Sequence, residues 1–317
     1  MCAACVLVVV AGIVAVRSME RRAGDPGASR RAQDALPTAP GSYVGLYPAR
    51  APASYAGAVA FSAATGVSPN LVSYYSGWLE PFQTGFATTV AAHGATPLIQ
   101  IDPTGIRLAA IAAGRYDSYL MAYAEAVRSY GHPVILSFGH EMNGDWYTWA
   151  HGHSSPAAFV AAWRHIVTIF RAAGARNVTW LWTVNVIETK PSVPAPGRWW
   201  PGAAYVTWVG IDGYYEKRSL TFDSLFGPTI AAVRALTGKP ILIAETAAAP
   251  SAGQPAKIAD LFASIHRYQL LGFVWFDQEQ SGSQQHQDWR LSRRALEAFG
   301  QDARKYTQPK LARSPRR

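Results

Sequence analysis

Five acidic residues stand at the ends of short apolar runs: Asp102 after PLIQI, Glu141 just beyond VILSF, Asp212 after VTWVGI, Glu245 after ILIA and Asp277 after FVWF. An acid in that place commonly caps the helix that follows. Asp102 and Asp277 fit capping as well as they fit a reactive site. Glu141 and Glu245 fit it poorly, because each opens a loop of several residues where no helix waits to be capped. Two carboxyl groups facing each other across about 5 to 5.5 Å are what retaining hydrolysis of a glycosidic bond requires, one as nucleophile and one as acid/base. The proton donor must keep a raised pKa, and the apolar Met142 and Trp146 beside Glu141 can help to supply that.

Such a pair needs a scaffold that brings the ends of distant strands together. From Ser42 onward, short apolar runs alternate with helical patterns. The runs are residues 43–47, 71–75, 97–101, 134–138, 178–184, 206–211, 241–244 and 273–276, and the helical stretches are 54–65, 82–93, 116–130, 156–173, 221–236, 256–270 and 290–299. Pro156 after Ser155 reads as a helix start. Between 186 and 205 a long loop with Pro191, Pro194, Pro196, Pro201 and the pair Trp199-Trp200 stands where a fifth helix would be. Eight βα units in series, without a Gly-rich turn after the first strand, predict an α/β fold, a (β/α)8 barrel of the TIM type forming a single catalytic domain over 42–301. The strand C-terminal ends then share one rim, where such barrels do their chemistry.

Composition narrows the function classes. With 49% hydrophobic and 15% charged residues the chain can bury a large core. Its formal charge of +9 is concentrated at the ends, and residues 41–301 are close to neutral, so the basic face that nucleic-acid binding needs is absent from the predicted body. Cys2 and Cys5 are the two cysteines and both precede that body, which excludes a disulfide framework or Cys-based zinc site within it. His140-Glu141 begins a zinc-protease HExxH pattern, but position 144 is Gly144. No cofactor or metal is called for. The apolar run from Cys2 to Val16 has the length of a signal-peptide core, and residues 1–22 are expected to be a signal peptide or N-terminal membrane anchor. Residues 23–41 read as a linker and 302–317 as a basic disordered tail. A secreted or surface-anchored monomer is expected. Among the eleven Trp, those just after strands, Trp78 and Trp146, and the loop pair Trp199 and Trp200 are candidate platforms for sugar rings.

Four ordered motifs carry a resemblance: HEMNGDW at 140–146, WVGIDGYY at 208–215, KPILIAET at 239–246 and DWR at 288–290. The chain resembles glycoside hydrolase family 26, a clan A family that includes β-mannanases. Clan A enzymes usually place Asn before the acid/base Glu, whereas this family has His, as here at His140. The resemblance implies Glu141 as acid/base and Glu245 as nucleophile. It implies that His140 holds the acid/base and substrate, that Tyr214 hydrogen-bonds the nucleophile, that Trp146 lines the sugar site and that Trp275 floors the subsite of bond cleavage. Asp212, Asp102, Trp78 and Asn185 complete the expected substrate-binding set. The implied partner is a β-linked polysaccharide cut at internal bonds, with β-1,4-mannan first. The chain departs at the third strand, where Ile101-Asp102-Pro103 stands in place of the Trp-His pair common in the family's mannanases. That keeps β-1,3/1,4-glucan and xylan open. A carbohydrate-binding barrel without catalysis is the reading from another class.

Overall fold

The computed structural model describes residues 36–187, 193–281 and 286–307. The expected signal or anchor, most of the linker and residues 308–317 of the expected tail lie outside the described residues. Eight parallel strands close into a barrel in chain order: β1 Tyr43–Tyr47, β2 Leu71–Gly77, β3 Thr96–Asp102, β4 Val134–Phe138, β5 Val178–Asn185, β6 Trp208–Asp212, β7 Ile241–Thr246 and β8 Gly272–Phe276. The pairing of β1 with β8 completes the closure. A small hairpin of β9 Glu279–Ser281 and β10 His286–Asp288 follows β8.

The helices of the outer layer are α1 Ala56–Thr65, α2 Thr84–Ala92, α3 Leu108–Ala112, α4 Asp117–Tyr130, α5 Pro156–Ala172, α6 Phe222–Leu236, α7 Gln254–Arg267 and α8 Arg293–Thr307. Between β5 and β6 the described residues hold two 3-10 turns, Pro196–Trp199 and Ala203–Tyr205, and no α-helix, as the proline-rich stretch predicts. Pro156 opens α5 with Ser155 as its cap, accepting from the Ala158 amide. The last helix runs to Thr307, so the first six residues of the expected tail are helical. The amphipathic pattern continues past Phe299, and Ala303 is buried.

Two-residue alternation sorts each strand between helices and lumen. The lumen is plugged at its lower end by one side chain from every strand: Tyr43, Leu71, Leu98, Ile135, Leu181, Trp208, Leu242 and Val274. Burying each aliphatic member contributes roughly 1.5–3 kcal/mol. Two residues on, the layer turns small and polar, with Gly45, Ser73, Gln100, Ser137, Thr183, Gly210 and Ala244. Gly210 has no room for more, since a Cβ there would lie 2.6 Å from Thr183 Oγ1 and 3.0 Å from Ala244 Cβ. Above this layer the strand ends carry the chemistry.

Candidate active site

Glu141 and Glu245 both turn into the barrel mouth, and each does so through a local irregularity. On β7, Leu242 and Ala244 face the lumen, so strict alternation would aim Glu245 at the helices. The register between β6 and β7 shifts between Ile211 and Asp212, and that between β7 and β8 shifts between Ile243 and Thr246. A β-bulge of this kind re-aims a side chain, and here it brings Glu245 inward as well. Glu141 lies three residues past β4 in the left-handed region, at φ 53°, which costs a non-glycine residue on the order of 1 kcal/mol or more. Its amide donates to the Thr183 carbonyl at 3.0 Å, fixing that turn against β5.

Glu245 is 5% exposed and receives three donors. Tyr214 donates to Oε2 at 2.7 Å, Gln100 to Oε1 at 3.3 Å, and Tyr75 also to Oε1. Glu141 receives Asn185 on Oε1 and the Trp146 indole on Oε2 at 2.7 Å. Asn185 is locked by a reciprocal pair: its amide donates to Asn143 Oδ1 at 2.9 Å, and Asn143 Nδ2 donates to its carbonyl at 2.9 Å.

Burial raises the Glu141 pKa to about 7; His140 opposes the rise, Glu245 adds to it, and the Asn185 and Trp146 hydrogen bonds oppose it. His140 shows the converse balance. Burial disfavours its charge, but Asp102, 3.0 Å from Nδ1, together with Glu245 and Glu141, outweighs that and takes the pKa up to about 9. The other ring nitrogen meets Tyr147 Oη at 3.1 Å, and Tyr147 stacks on Trp149 with centroids 4.3 Å apart. Asp212 pairs in register with both Asn185 and Glu245 and has no exposed surface, and the Glu245 backbone amide is the group that offsets its burial. Burial first, then the Glu245 and Glu141 charges, push its pKa well above the usual carboxylate range.

Of the ten residues expected at the site, Glu141, Glu245, His140, Trp146, Tyr214, Asn185 and Asp102 come together. Three are placed differently. Asp212 is enclosed beside Glu245, where no sugar could touch it. Trp275 is fully buried and packs on Phe299 of α8, because the residue that alternation turns toward the mouth is Phe276, which meets Tyr47 and Tyr214. Besides Trp146, Trp289 reaches the site, its ring 4.7 Å from that of Tyr214. Trp78 follows the same parity outward, against Tyr116 and Tyr119 at α4 and Phe138. Trp199 is also fully buried and is no sugar platform. Asp277 accepts from the Leu291 amide at 3.0 Å, an anchoring role ahead of α8.

Tyr75, Gln100 and Tyr147 were not singled out by sequence, although the lumen parity set by Leu71 and Leu98 marks the first two. Among the described residues no group of three or more His, Cys, Asp or Glu could hold a metal ion, and no helix is long and apolar enough to cross a membrane.

Residues 112–292 match the family model of Glycosyl hydrolase family 26. The chain belongs to this family. It is 32% identical over 277 residues to Endoglucanase H of Acetivibrio thermocellus, covering 82% of this chain and 29% of that protein. The chain thus spans less than a third of the length of that relative. A mannan endo-1,4-beta-mannosidase of Caldalkalibacillus mannanilyticus is 29% identical over 105 residues, which is 31% of this chain and 20% of that protein. Among solved structures, Bacillus subtilis mannanase BCman shares the fold with a TM-score of 0.59 at 18% identity, covering 83% of this chain and 86% of its own.

Proposed function

We propose that the chain hydrolyses internal bonds of a β-linked polysaccharide with retention of configuration, Glu245 acting as nucleophile and Glu141 as acid/base. The supporting observation is the contrast between the two carboxyl groups. Glu245 accepts three hydrogen bonds, which suits an anion held for attack. Glu141 has a pKa lifted to about 7, which suits a group that carries a proton and later takes one back. Glu245 attacks the anomeric carbon while Glu141 protonates the leaving glycosidic oxygen. Glu141 then removes a proton from the water that frees the sugar from Glu245. Glu245→Ala is expected to lower kcat by about 10⁴-fold or more with the fold intact by circular dichroism. Substantial residual turnover would reject the assignment, and retention itself is read from the anomer first released.

For the polysaccharide, a glucan with β-1,3/1,4 linkages is the reading we favour over mannan. Two observations support it: Asp102 stands where the family's mannanases commonly carry a Trp-His pair, and the long match is to an endoglucanase. Lichenan, xylan and mannan offered in parallel separate the readings, and products from mannan alone would reverse the choice. The apolar run from Cys2 to Val16 supports export of the enzyme to where such polymers lie. Detection of the protein only in the cytosolic fraction of its host would overturn that.

A further inference from the structure

Glu141 is held by two donors of unlike character. Asn185 is buried and pinned on both sides by Asn143. Trp146 is 45% exposed, one of three large apolar side chains so placed among the described residues. Its indole folds back over Gly144, close enough that a Cβ at 144 would lie 2.4 Å from the ring carbons. Its aromatic neighbour is Tyr147, met edge-on with centroids 6.3 Å apart. The Asn143 bonds hold the backbone of Asn185 on both sides, whereas the Trp146 ring stands 45% exposed. The exposed indole thus closes the solvent side of the acid/base, and its N–H occupies Oε2. A leaving-group oxygen must come within about 2.6–3.2 Å of the oxygen that carries the proton.

We infer that Trp146 is a releasable latch on Glu141: its N–H holds the carboxylate in the free enzyme, and the sugar on the leaving-group side displaces it on binding. Trp146 is in this sense a positioning residue, and the inference rests on Glu141 being the acid/base. Release removes a donor that favours the anion, so substrate binding itself helps to load the proton. Upper pH limbs then differ between free enzyme and complex, with kcat/KM falling at a lower pH than kcat. The other groups facing Glu141 are His140 beside it, Glu245 and Asp212 from β7 and β6, and Tyr147 and Tyr214. All of them remain when Trp146 alone is changed.

The test is the pH profile of Trp146→Phe on an oligosaccharide whose first chemical step limits turnover. Losing the N–H is expected to raise the kcat/KM limb by on the order of half a pH unit and to leave the kcat limb in place. Gly144→Ala keeps the indole but drives it off its seat, and because Gly144 is not at positive φ the change strains no backbone. It should reproduce the same one-sided shift. Both limbs moving together would mean that the bond persists in the complex, and neither moving would mean that it does not hold Glu141 in solution; either result overturns the latch. Glu141→Gln keeps the two readings apart. If that variant stays fully active on natural polysaccharide, the acid/base assignment fails, whereas failure of the latch leaves it inactive.

Discussion

At the scale of residues, the site works by giving two like side chains unlike surroundings. Glu245 sits in a cage of donors from β2, β3 and the loop after β6, while Glu141 has burial working against its charge. The sign of a perturbation at Glu141 follows from which form each neighbour favours. Asn185 donates to the carboxylate, so removing it in Asn185→Ala leaves the charged form less favoured and raises the pKa. The alkaline limb of kcat/KM should then move up by on the order of one pH unit, read from a pH-rate series against wild type. Glu141 and Glu245 were legible as carboxyl groups at strand ends without helices to cap. Asp212 was expected to bind substrate, and its complete enclosure was not legible, since that depends on neighbours from β5 and β7 that sequence does not place beside it.

At the scale of elements, the two-residue period of each strand decides which side chains reach the mouth. Trp275 illustrates it: Val274 plugs the lumen, so Trp275 faces α8 and Phe276 faces the site. Trp275→Phe is therefore expected to cost roughly 1–2 kcal/mol in denaturant unfolding. It should leave KM within about two-fold of wild type, since the side chain only fills the layer between barrel and helix. A large rise in KM at unchanged stability would return Trp275 to the substrate. The small layer above the plug makes a second prediction. Gly210→Val would push a branched side chain into Thr183 and Ala244, and should cost about 1–3 kcal/mol in the same assay. The βα series, the lack of an α-helix among the described residues between β5 and β6, and the Ser155-Pro156 helix start were all readable, because they rest on local periodicity and capping. The bulge on β7 was not, because it exists only in the pairing with β6 and β8.

At the scale of the whole molecule, the charged groups at the site tie stability to pH. His140 is raised from 6.5 to about 9, so its contribution is complete below pH 6.5 and lost as pH rises through 9. Glu141, raised from 4.5 to about 7, acts in the same direction between those values, because the folded state holds its proton more tightly. Thermal unfolding followed at fixed ionic strength should show Tm falling from pH 5 to pH 9. Asp102→Asn should flatten the stretch above pH 6.5, where the His140–Asp102 pair supplies the dependence; an unchanged slope there would remove His140 from the account.

The sequence by itself determined the class of barrel, the family and the place of two glutamates at strand ends, because apolar periodicity, strand-end acids and four spaced motifs are all properties of the linear chain. Only the tertiary structure decided which aromatic residues turn toward the barrel mouth and which pack against the helices. It also decided that Tyr75 and Gln100 join Tyr214 on Glu245, that Asp102 pairs with His140, and that the Trp146 indole donates to Glu141. The physical reason is the same throughout. A side chain's direction depends on strand parity, bulges and left-handed turns that are settled by neighbours distant in the chain, and in a closed barrel every strand is fixed by the two beside it.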